Sequence, residues 1–129
     1  MSGLRPAMAH LNRSAMKTTQ AELALITRSN DFTVVQIDAA WDGYRKAVSQ
    51  KIDELRNRQI KGVAFAYIDC DEEQNYALQV GLRNTPTVAY YRGPELVSKV
   101  VGRDQNIANN LAIVMGGGTP DSSNFISRK

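Results

Sequence analysis

The chain has 129 residues, 43% hydrophobic and 22% charged, with a net charge of +3 and one cysteine. A chain of this length buries roughly two-thirds of its unfolded surface, enough for one core without covalent staples. The cations are scattered with no basic run among aromatics, which argues against a nucleic-acid partner, and no apolar run approaches the ~20 residues of a membrane span.

The first sixteen residues are set apart in composition. Met1 to Ala21 holds no acid but has Arg5, Arg13, Lys17, three methionines and His10. A basic, serine-bearing, acid-poor start resembles an organellar transit peptide. A flexible arm is the plainer alternative and is preferred, with Met8 or Met16 as candidate start residues. No apolar h-region of a secretory signal is present, and His10 is assigned no role. A cytoplasmic location is expected, with organellar import left open.

Periodicity then predicts α, β, α, β, α, β, β, α. Leu23 and Ile26 recur at helical spacing in Thr19 to Ser29, with Thr18 or Thr19 as N-cap. Phe32 to Ala40 reads as a strand whose Val34-Val35 core suits a buried parallel position. Asp42 to Ile60 places Tyr44, Val48, Ile52 and Leu55 on one helical stripe. Val63 to Ile68 is the next strand. Asp71-Glu72-Glu73 puts acid at the start of a short helix, which Gly81 ends. Thr87 to Tyr91 and Leu96 to Val101 form a hairpin around Arg92-Gly93-Pro94. Asp104 caps a last helix, Gln105 to Met115, with Ile107, Leu111 and Val114 inward. Gly116-Gly117-Gly118-Thr119-Pro120 then stops the last helix, and the three glycines read as a flexible tether. The expected organisation is an arm over residues 1–16, a domain over 17–115 and a flexible tail over 116–129.

The motifs fall into a known pattern. Trp41-Asp42-Gly43-Tyr44-Arg45-Lys46 follows an apolar strand and is similar to Trp-Cys-Gly-Pro-Cys-Lys, the redox loop of the thioredoxin family, with both cysteines replaced. Thr85-Pro86-Thr87 stands at that family's spacing for its cis-proline loop. Val80-Gly81-Leu82-Arg83 resembles Tyr-Gly-Ile-Arg before it. Beyond it, Val88 to Glu95 resembles the family's strand and hairpin turn, and Lys99-Val100-Val101-Gly102 its Lys-Val-Gly. Ala66-Tyr67-Ile68-Asp69 resembles the strand ending in Asn-Ile-Asp. The matches keep their order from about Thr18 to Met115.

This resemblance implies an α/β thioredoxin-like fold, a central mixed sheet of four or five strands with helices on both faces, and a cis bond before Pro86. It also implies a lost reaction. Thiol–disulfide exchange needs a thiolate and a second sulfur to resolve the mixed disulfide. Asp42 and Arg45 stand at those two places, and Gln36 at the place of the family's buried acid. With Cys70 alone, no intramolecular disulfide can form.

Two readings of the loop stand side by side. Asp42 caps the helix and pairs with Arg45 three residues on, or the exposed pair faces a partner. Trp41, Asp42, Tyr44, Arg45, Thr85, Pro86 and Gly102 would then frame a groove for a protein or extended peptide segment, or for a second copy of the chain. In thioredoxins the residue before the cis-proline offers backbone groups for strand addition, and Thr85 can offer the same. The structural alternative is that tryptophan and proline persist because the fold needs them.

Cys70 has two readings as well. It could act as a redox monothiol. Asp69 and Asp71 disfavour its thiolate, and a small buried hydrophobe is the preferred reading. No Ser/His/Asp set, metal-ligand cluster or phosphate-cradling loop occurs, so no cofactor, metal or other enzyme chemistry is expected. The function expected is a non-catalytic binding, scaffold or chaperone-like module, with a monothiol redox protein as the alternative.

Overall fold

The computed structural model describes residues 17–120. Its elements are α1 (Gln20–Ser29), β1 (Phe32–Asp38), α2 (Arg45–Asn57), β2 (Val63–Asp69), α3 (Gln74–Gln79), β3 (Thr87–Arg92), β4 (Glu95–Val101) and α4 (Ile107–Met115). The predicted arm over residues 1–16, with His10, lies outside the described residues, as do residues 121–129.

The four described strands run in the order β2-β1-β3-β4. β1 pairs parallel with β2, Gln36 opposite Tyr67 and Asp38 opposite Asp69. β3 lies antiparallel to both β1 and β4. A single parallel bridge joins Lys17 to Tyr67 on the outer side of β2.

Both sheet faces are covered, as the near-continuous apolar runs of β1 and β2 demand. One face packs Val34, Phe65, Val88 and Tyr90 against Val48, Ile52 and Leu55 of α2 and Ile107, Leu111 and Val114 of α4. The other packs Val35, Ile37, Ala66 and Ile68 against Leu23 and Ile26 of α1 and Tyr76 of α3.

Helix ends show what the sequence conveyed and what it hid. Thr19 and Glu22 form a reciprocal capping box: Thr19 Oγ1 accepts from Glu22 N–H at 3.1 Å, and Glu22 Oε1 from Thr19 N–H at 2.9 Å. Gly81, with φ of +68°, ends α3 while Leu82 N–H bonds back to Ala77 C=O at 2.9 Å. Gly62 is held to glycine by its turn: φ is +81°, and a Cβ there would lie 2.6 Å from Asp31 Oδ2.

Four expectations are corrected. α2 begins at Arg45 rather than Asp42, and Tyr44 leaves the apolar stripe to stand half exposed. Asp104 does not cap α4. Asn106 does, its side chain accepting from Asn109 N–H at 3.0 Å. Gln105, expected as the first helical residue, is instead buried, accepting from Tyr90 Oη and donating to the carbonyls of Val100 and Gly102. Acids 71–73 lie ahead of α3, and of them Glu73 serves α1, its Oε1 accepting from Gln20 N–H at 2.9 Å.

The glycine run stops α4 as expected, but the residues described after it are held by hydrogen bonds. Gly117 takes φ of +93°, and Gly118 N–H returns to Ile113 C=O at 2.8 Å. Arg92 donates to the carbonyls of Val114 and Gly118, and Ser98 Oγ to that of a buried Pro120.

Candidate functional site

The strands β1 and β2 end together at Asp38 and Asp69, and the chain leaves each as a loop at the same sheet edge. Parallel strands put their carboxyl ends side by side, and loops there converge on a common crevice. The third contributor is the segment running into β3. Its Thr85–Pro86 peptide is cis, and Gly102 N–H braces it by donating to Pro86 C=O at 2.9 Å.

Between these three segments lies an open groove of about 760 Å³, lined by Trp41, Asp42, Gly43 and Tyr44, by Cys70, and by Leu82, Arg83, Asn84 and Thr85. Of the residues expected to frame it, Trp41, Asp42, Tyr44 and Thr85 meet there, joined by Cys70, which was not among them. Arg45, Pro86 and Gly102 are not part of the lining. Pro86 is buried beneath the loop, and Gly102 supports it from behind.

Trp41 is 73% exposed. Its indole is nonetheless fixed, Nε1 donating to Asp71 Oδ2 at 2.9 Å. Tyr44 is exposed too, with the Arg103 guanidinium 4.3 Å from its ring centroid. Among the described residues neither the N–H nor the C=O of Thr85 has a hydrogen-bond partner within the chain.

The expected Asp42–Arg45 surface pair does not form. Asp42 is only 7% exposed, and its Oδ1 accepts from Tyr44 N–H at 2.8 Å. That side-chain turn holds residues 42–44 out of the helix, which is why α2 starts late. Arg45 turns away from the groove, its Nε 3.5 Å from Asp38 Oδ1 and its guanidinium 5.1 Å from the Tyr67 ring centroid.

Beneath the loop sits a buried polar cluster. Gln36, fully buried, donates to Asp38 Oδ2 at 2.8 Å and to Ser49 Oγ at 2.9 Å. Burial pushes the Asp38 carboxyl above its ordinary range, opposed by the Gln36 donor, the nearby Tyr67 hydroxyl and the Arg45 charge. Sequence reasoning singled out Gln36 but missed Asp38 and Tyr67. The signal was present: residues two apart on a strand share a face, so Asp38 had to point into the same interior as Gln36.

Cys70 is half-buried, packed on the α1–α3 face, and also on the groove wall. Its thiol is pushed up by burial first, then by the Asp71 and Asp69 carboxylates, so it stays protonated near neutrality. Among the described residues no group of three or more His, Cys, Asp or Glu could hold a metal ion, and no helix is long and apolar enough to cross a membrane.

Comparison with known proteins follows the same outline. The Thioredoxin family model matches residues 14–113. Thioredoxin-2 of Saccharomyces cerevisiae is 27% identical over 101 residues, covering 74% of this chain and 96% of that one. A thioredoxin of Aspergillus fumigatus is 33% identical over 70 residues, covering 54% of this chain and 64% of its own length. The solved structure of a mutant thioredoxin from Halobacterium salinarum superposes with a TM-score of 0.66 at 28% identity, covering 82% of this chain and 89% of the other.

Proposed function

Because this chain belongs to the thioredoxin family, we propose that it is a non-catalytic member that holds a protein segment in the groove without exchanging disulfides. One observation carries the reading: both places where the family keeps its sulfurs are occupied by groups that carry none. Asp42 accepts from Tyr44 N–H through Oδ1, and Arg45 lies on Asp38. A carboxylate cannot attack a disulfide, and a guanidinium cannot resolve one.

What supports binding is the surface that remains. A large exposed indole held in one orientation is typical of a contact anchor. Beside it Thr85 offers an unpaired N–H and C=O, the requirement for adding an extended segment as a strand. Protein or peptide is thus the partner class, a second copy of the chain included, and the role is that of a docking, scaffold or chaperone-like module, with no cofactor invoked.

A monothiol role for Cys70 is the second reading, favoured by its place on the groove wall. The acids beside it weaken that reading, since they lower the thiolate fraction.

Affinity capture on the immobilised full chain, run in parallel with Trp41→Ala, tests the binding role. A partner retained by the wild type and lost from a folded Trp41→Ala is the expected result. Retention that ignores Trp41 would sink the groove as the binding surface.

A further inference from the structure

We infer that the segment received by this groove carries one cationic side chain, a lysine or arginine, seated between Trp41 and the acidic loops of Asp42 and Asp71; the inference rests on the groove being a protein-binding surface. Three observations point to it.

Asp42 lines the groove yet is 7% exposed, and only Oδ1 has a donor. Oδ2 is buried with no hydrogen-bond partner. Removing a carboxylate from water is costly unless a positive charge offsets it. Three nearby described cations are committed elsewhere, Arg45 on Asp38 at 3.5 Å, Lys17 on Glu72 at 2.7 Å and Arg103 over the Tyr44 ring, and Arg83, which shares the groove wall, makes no ion pair with Asp42.

The second observation is the field on the opposite loop. Asp69 and Asp71 flank Cys70, which lies on the groove wall, and both carboxylates add to the larger push of burial on its thiol. Burial disfavours any charge, but the share due to the two carboxylates favours a cation as it disfavours a thiolate.

The third is Trp41. Its indole is exposed, and the bond to Asp71 keeps it in place. An indole face is the best aromatic surface for a cation. Arg83, on the wall formed by 82–85, limits the appetite for charge. A second cation beside the first would be repelled there, so the fit is to one basic residue in an otherwise neutral extended segment and not to a polybasic stretch.

A phage-displayed library of random dodecapeptides, selected on the full chain and counter-selected on Trp41→Ala, supplies probes. A synthetic peptide of the enriched sequence, and its twin with the basic residue replaced by norleucine, are then compared by fluorescence anisotropy. On the wild type the cation should strengthen binding about tenfold, the value of one good charge pair. Asp42→Asn keeps the acceptor for Tyr44 N–H and removes the charge, and should cut that preference to about twofold. If it fails to fold, Asp71→Asn, which keeps an acceptor for Trp41, serves the same comparison. Trp41-dependent peptides that are uncharged or acidic would overturn the inference while leaving the groove reading intact. So would a preference undiminished in the folded asparagine variant. Absence of any Trp41-dependent peptide would overturn both.

Discussion

At one end of the sheet Phe32, Val63 and Arg92 lie abreast, and the turns beside them are closed by backbone bonds. Phe32 N–H reaches Gly62 C=O at 2.9 Å, and Gly93 N–H reaches Asp31 C=O at 2.8 Å. At the other end, where β1 and β2 finish in aspartates, Asp38 Oδ1, Asp42 Oδ2, Arg45 Nε and Tyr67 Oη are buried without a hydrogen-bond partner, against Thr33 Oγ1 and Arg92 Nε among the described residues at the first. Native interiors leave few such groups, and those that persist gather where something other than stability is selected. The difference teaches that the fold is secured by the sheet's body and closed end. Its loop end gathers more of the buried polar groups without a hydrogen-bond partner.

The largest effect should come from the body of the sheet. Phe65, buried in the α2–α4 face, fills the middle of β2. Phe65→Ala is expected to cost about 3–5 kcal/mol in urea unfolding. A loss below about 1 kcal/mol would remove the contrast with the loop end.

Next is the ion pair under the loop. Arg45→Gln leaves the Asp38 carboxylate buried without its cation. Because the Arg45 side chain is 37% exposed, the cost at pH 7 should be about 1–2 kcal/mol rather than the larger figure for a fully buried pair. The loss should shrink in acid, where Asp38 binds a proton.

Asp38→Asn sharpens the same point with opposite sign. Burial holds the folded-state pKa of Asp38 above its ordinary 3.8. The folded chain therefore binds the proton more tightly than the unfolded chain. Wild-type stability falls as pH rises from the ordinary value through the raised one, and the penalty is complete above both. The variant should thus gain on the order of 1 kcal/mol at neutral pH, the gain vanishing below the ordinary value. Equal stability changes at pH 7 and pH 3 would show that the carboxylate's charge is not the cause.

How much of this was legible follows from which physics set each feature. The two core faces were, because Val34-Val35 and the α2 stripe of Val48, Ile52 and Leu55 obey periodicities fixed by backbone geometry. The groove was legible in part: Trp41, Asp42, Tyr44 and Thr85 do meet, together with Cys70. The partnering was not. Asp42 turns to Tyr44 N–H and Arg45 to Asp38 because side chains choose among neighbours that only the tertiary arrangement supplies. The same holds for Asp71, read as a helix-start acid and found holding Trp41. Gly116-Gly117-Gly118 was legible as a helix stop, but not the bonds of Arg92 and Ser98 that hold the segment after it.

The smallest effect on stability belongs to the most exposed residue. Trp41→Ala should change unfolding free energy by less than about 0.5 kcal/mol, since the indole stands 73% exposed. A larger loss would place Trp41 with the structural half of the molecule and end its contrast with the core.

The central claim is that the loop end has lost sulfur chemistry while keeping its surface. Reduction of insulin disulfides by dithiothreitol, followed as turbidity with and without the full chain, tests it most directly. The account predicts a rate at the uncatalysed background for wild type and for Cys70→Ser alike, because Asp42 and Arg45 supply no sulfur and Cys70 has no resolving partner in the chain. Acceleration by the wild type that Cys70→Ser abolishes would contradict it and transfer the function to the monothiol.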